Sequence, residues 1–203
     1  MDIKVKVCGI TSVDDAKKAI DCGASAIGLN FNQDSKHLIS LYKAKQIIKL
    51  SDKIKWVGMF DESNMDFIQK IIDETQLDII QIEQKAYPEF CSPYFGVVVK
   101  SIIGDKRDSM KVMLDFHVGY LMMDNVSGYR FLSNFSSLWE FSKEVSKYGM
   151  VILSSGINHL NVSEAINRVK PYCVDVCDCL EDEVGKMNIT KMQRFFKSME
   201  DLK

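Results

Sequence analysis

Short runs rich in β-branched and aromatic residues recur at Ile3–Val7, Ser25–Phe31, Ile54–Phe60, Leu77–Ile82, Phe95–Lys100, Val118–Met123, Met150–Leu153 and Tyr172–Cys177. They begin on average about 24 residues apart, the length that a strand, a helix and two short loops occupy. Between most of them the apolar positions return with helical spacing. Val13, Ala16, Ala19 and Ile20 form one stripe; Leu41, Ala44, Ile47 and Ile48 form the next, and Phe67, Ile68, Ile71 and Ile72 a third. Later stripes are Leu138, Phe141 and Val145, then Val162, Ala165, Ile166 and Val169, and finally Met192, Phe195, Phe196 and Met199. Thr11 or Ser12, Ser40 and Ser63 stand where N-caps belong, Asp14 and Asp15 suit a first turn, and Gly23 suits a helix stop. The segment Gln84–Ser92, with Pro88, predicts only a turn or an irregular helix.

Alternating strands and helices without a linker predict an α/β protein, a single (β/α)8 barrel over residues 1–203. An open doubly wound sheet shares the alternation and is the competing architecture. In a barrel, chemistry gathers where strands end. That places it around Cys8, Phe31–His37, Phe60–Ser63, Gln81–Glu83, Asp124, Ser154–Gly156 and Cys177–Glu181.

Composition narrows the function classes. The chain has 26 Lys and Arg against 28 Asp and Glu, a net charge of −2. With no block of like charge, neither nucleic acid nor a membrane surface is the expected partner. The apolar runs fall well short of the roughly 20 residues that span a bilayer. Met1–Lys6 alternates charged and apolar residues unlike a secretory leader, so the expected address is cytoplasmic. Six cysteines at irregular spacing are then expected as reduced thiols.

Two strand ends carry reactive groups. In Lys6-Val7-Cys8-Gly9-Ile10-Thr11 a thiol stands beside a helix N-terminus, where its pKa can fall far enough for a base or nucleophile; a small buried core cysteine is the plain alternative. In Met122-Met123-Asp124 a carboxyl follows an apolar strand, and it is either an acid–base group or a turn residue. Ser154-Ser155-Gly156 and Cys177-Asp178-Cys179 end the last two strands, where barrels often bind phosphate with backbone N–H groups. Ser155 and Gly156 suit that use. Asp178 opposes it unless a cation intervenes. Cys173, Cys177 and Cys179 with Asp175 share one face by period two, but their spacing matches no familiar zinc motif, and no metal is expected.

Lys6–Thr11, Gly23–Gly28, Val57–Phe60, Gln81-Ile82, Asp124, Leu153–Ile157 and Val174–Val176 together resemble, in order, the phosphoribosylanthranilate isomerase family of tryptophan biosynthesis. The opening K-V-C-G-I-T is the most specific piece. The resemblance implies a (β/α)8 barrel that needs no cofactor or metal and performs an Amadori rearrangement of a small phosphorylated substrate. By similarity Asp124 is the general acid and Cys8 the general base. A monomer or a homodimer is expected. The chain also departs from the family pattern. Ser35-Lys36-His37 replaces S-P-R, leaving Lys36 or His37 in place of an arginine for the substrate carboxylate, without its bidentate fork. Gln81-Ile82-Glu83-Gln84 replaces Q-L-H-G, and Cys177-Asp178-Cys179 replaces S-S-G. The expected substrate contacts are therefore Lys36, His37, Gln81, Ser155, Gly156 and Asp178. The competing readings are a diverged barrel acting on another sugar phosphate and a non-catalytic binding protein.

Overall fold

The computed structural model describes residues 3–61, 64–82, 98–103, 120–124, 135–154 and 156–200. Strand β1 is Lys4–Val7, β2 Ala26–Asn30, β3 Lys55–Phe60, β4 Ile79–Ile82, β5 Val98–Ile103, β6 Tyr120–Asp124, β7 Met150–Leu153 and β8 Cys173–Val176. All pair in parallel with their neighbours in chain order, and β8 pairs back onto β1. A doubly wound sheet would reverse its strand order at the middle; this one runs strictly sequentially in a curl. At the seam between last and first strands the register sets Lys6 beside Asp175 and Val7 beside Val176.

Helices pack outside the sheet: α1 Val13–Asp21, α2 Leu41–Ile48, α3 Met65–Thr75, α4 Phe135–Val145, α5 Val162–Val169 and α6 Ile189–Lys197. They follow β1, β2, β3, β6, β7 and β8. Residues 83–97 and 104–119, which include the irregular fourth segment, lie outside the described ones. Ser12 and Ser40 cap α1 and α2 by accepting the N–H of Asp15 and of Lys43. The third helix is capped by Asn64, one residue beyond the expected Ser63, because its Oδ1 accepts the N–H of Phe67 at 3.0 Å. Gly23, at φ +102°, turns the chain after α1.

Two apolar layers result. The larger lies between sheet and helices and includes Val7, Ile27, Ile47, Ile71, Leu153, Val174 and Phe195. A smaller one, Met122, Ile152 and Cys173, sits inside the curl. Past β8 the chain makes a single 3₁₀ turn, Asp178–Leu180, and a short hairpin, β9 Glu181–Glu183 with β10 Lys186–Met187. That excursion brings Glu181 back over the end of β1. No helix among the described residues is long and apolar enough to cross a membrane.

Candidate active site

Strand alternation puts Lys6 and Cys8 on the same, inner face of the sheet. Both are buried, Lys6 to 2% exposure. A lysine there needs partners, and Asp175 Oδ1 and Gln81 Oε1 each lie at 3.0 Å, with the Met59 sulfur at 3.8 Å. Burial pulls the ammonium pKa down, but the charges of Asp175 and Cys8 and the hydrogen bond to Asp175 together outweigh it and hold Lys6 well above its ordinary value. Asp175 Oδ2 takes a further hydrogen bond from Ser154 Oγ at 3.3 Å.

The Cys8 thiol lies 3.1 Å from the sulfur of Met59. Its pKa is lowered from the usual thiol value, chiefly by a hydrogen bond from Cys177. Desolvation works against this and the positive charge of Lys6 supports it. Within this coupled pair the Cys177 thiol is pushed up as Cys8 goes down, so Cys8 is the sulfur that ionises first. Gly28 on β2 makes the arrangement sterically possible. A Cβ there would stand 3.0 Å from Cys8 Sγ and 3.1 Å from Lys6 Cε.

The second loop and the eighth loop meet above Gly9. His37 is buried, its Nε2 lying 2.8 Å from Glu181 Oε1 and 3.8 Å from Cys177 Sγ. It is engaged with the eighth loop, which leaves Lys36 as the exposed cation of the second loop; Lys36 Nζ reaches Asp178 Oδ1 at 3.4 Å. Gly156, at φ +70°, heads the seventh loop, its carbonyl accepting Nδ2 of Asn161 at 2.8 Å. Ser155 lies outside the described residues. So does the side chain of Asp124, whose backbone ends β6 at the same rim as Cys8. The cavity of about 530 Å3 among Lys4, Ser25, Lys55 and Tyr172 opens at the opposite, strand-start end.

The thiols of β8 separate. Cys173 faces the interior with Asp175, Cys177 turns to His37, and Cys179 belongs to the 3₁₀ turn. The five described cysteines are free. Sequence reasoning overlooked Lys6 as more than a motif letter, although a lysine two residues before the inward Cys8 had to find a buried counter-charge. Glu181 closes the strand-end stretch Cys177–Glu181 named from the sequence, but nothing local in the chain pairs it with His37.

The family model for N-(5'-phosphoribosyl)anthranilate isomerase matches residues 5–198. The chain belongs to that family. A relative from Geotalea uraniireducens (strain Rf4), named N-(5'-phosphoribosyl)anthranilate isomerase, is 34% identical across 98% of this chain and 99% of its own. The crystal structure of the Thermotoga maritima phosphoribosylanthranilate isomerase superposes with a TM-score of 0.88 at 26% identity, covering 98% of this chain and 99% of that one. A further family structure, in complex with reduced 1-(o-carboxyphenylamino)-1-deoxyribulose 5-phosphate, gives a TM-score of 0.84 at 26% identity over the same shares.

Proposed function

We propose that the chain is a single (β/α)8 barrel domain over residues 1–203 that isomerises N-(5'-phosphoribosyl)anthranilate to 1-(o-carboxyphenylamino)-1-deoxyribulose 5-phosphate in tryptophan biosynthesis. The observation that carries this reading is the Cys8 thiol at the end of β1, held toward its thiolate by Cys177 and Lys6, on the rim where Asp124 ends β6.

Two proton transfers suffice. The Asp124 carboxyl gives its proton to the furanose ring oxygen as the C1–O bond breaks, and the nitrogen lone pair forms the C1=N iminium. The Cys8 thiolate then takes the C2 proton, and those electrons make the C1=C2 bond of an enolamine. Tautomerisation delivers the ketone at C2. Each positioned acid or base of this kind contributes about 10²–10⁴ in rate. The iminium itself serves as the electron sink, so the residues need no cofactor for this step.

In this reading Lys36 meets the anthranilate carboxylate, while Ser155, Gly156 and Asp178 serve the phosphate. Gln81 holds Lys6 and thereby the charge behind Cys8, and His37 orders the second loop against Glu181. The enzyme is cytoplasmic, works on a small phosphorylated molecule, and is a monomer or a homodimer. The test is the loss of fluorescence of freshly generated phosphoribosylanthranilate on adding the protein. Turnover that Cys8→Ala and Asp124→Ala each abolish is the expected result. A folded protein without turnover at high concentration overturns the assignment and favours another sugar phosphate or a binding role.

A further inference from the structure

Four side chains of ligand type converge where the second and eighth loops meet: His37, Cys177, Asp178 and Glu181. One ligand atom from each lies within 4.8 Å of all the others. The core of this group is His37 Nε2, which faces both Glu181 Oε1 at 2.8 Å and Cys177 Sγ at 3.8 Å. One ring N–H can serve only one of two such neighbours. A cation in its place can bind the imidazole, the thiolate and the carboxylate together.

We propose that these four residues form a binding site for a divalent transition-metal ion of the zinc class. The donor set supports that class, since thiolate and imidazole select softer ions over magnesium or calcium. In tetrahedral zinc sites, bond lengths of about 2.0–2.3 Å set ligand atoms roughly 3.3–3.7 Å apart. The widest separations here must therefore close by about 1 Å. Asp178 has the room to do so: its side chain is 75% exposed and, among the described residues, tied to Lys36, itself 57% exposed, a contact of small worth. The two inner ligands, His37 and Glu181, are hydrogen-bonded at 2.8 Å and must open by about 0.5 Å to admit the ion. Glu181 Oε1 also accepts the N–H of Gly185 at 3.0 Å. Gly9, at φ +74°, leaves space for the cluster; a Cβ there would fall 2.5 Å from Cys177 Sγ and 3.0 Å from His37 Cδ2.

An ion at this position also answers the feature of the eighth loop that opposes a phosphate. With the Cys177 thiolate and both carboxylates as ligands, a divalent ion would leave the cluster one charge unit less negative than Asp178 and Glu181 alone and so weaken the repulsion of a phosphate. Cys177 would no longer donate to Cys8, and Lys6 would support that thiolate; both consequences rest on the proposed isomerase reading. The site itself does not rest on that reading, and its test does not use activity. Cobalt(II) is titrated into the full-length, chelator-stripped, reduced protein. The expected result is one equivalent bound, with thiolate-to-cobalt charge-transfer absorption in the near ultraviolet that zinc displaces. Cys177→Ser removes the band, His37→Gln weakens binding at least about tenfold, and Cys179→Ser changes neither. Absence of the band, its survival in Cys177→Ser, or its loss in Cys179→Ser instead overturns the site. Should Cys177→Ser fail to fold, Asp178→Asn at its exposed position decides, and unchanged cobalt affinity there overturns the proposal.

Discussion

Replacing Lys6 by methionine removes the positive member of a buried ion pair and leaves Asp175, only 7% exposed, with Ser154 as its remaining side-chain hydrogen-bond donor. Breaking such a pair from one side costs about 3–5 kcal/mol, because the surviving charge stays in a poorly polarisable interior. With a urea dependence of about 2 kcal/mol per molar, the unfolding midpoint falls by roughly 2 M. Desolvation and not attraction sets that cost, so removing the second charge as well recovers most of it: Lys6→Met with Asp175→Leu unfolds near the native midpoint. Denaturation followed by circular dichroism measures both. A single variant that loses less than about 1 kcal/mol, or a double variant no better than the single, refutes the reasoning. The same substitution carries a catalytic signature. Lys6 favours the Cys8 thiolate, so without it the thiol titrates higher. Activity of a base rises with pH through its own pKa, so the acid limb of the rate profile moves to higher pH, and lost turnover returns in alkaline buffer.

Cys177→Ala, assayed with chelator present, moves that limb the same way, because the largest cause of the low Cys8 pKa is the hydrogen bond from Cys177; an unmoved limb in the pH–rate profile contradicts it. Gly28→Ala presses a methyl group against Cys8 and Lys6 at about 3 Å. It lowers stability by about 1–3 kcal/mol through overpacking, and the displaced thiol lowers kcat more than it raises KM in steady-state kinetics. Glu181→Gln weakens the buried contact with His37 and lowers stability by about 1–3 kcal/mol in urea unfolding. Ser12→Ala removes the cap of α1, where Ser12 Oγ accepts the Asp15 N–H at 3.1 Å, and costs about 1 kcal/mol in the same measurement.

What the chain determines by itself is what repeats within a few residues. The alternation along Lys4–Val7 and the 3.6-residue return of Val162, Ala165, Ile166 and Val169 are local consequences of strand and helix geometry, so the strands and the described helices were legible. Their ends were less so, and Asn64 took the cap expected of Ser63 because two adjacent polar residues serve that position almost equally. Cys8 and Asp124 stood out because each follows an apolar strand, and strand ends share one rim. The surroundings of Cys8 were not legible. Asp175 meets Lys6 only because β8 pairs with β1 in one particular register, and Glu181 meets His37 only because the chain past β8 folds back over β1. Both contacts join residues at opposite ends of the sequence, where no periodicity connects them. Burial made them necessary, since a lysine and an imidazole drawn into the interior must find partners. Only the pairing of β8 with β1 and the turn beyond it decided which partners those would be.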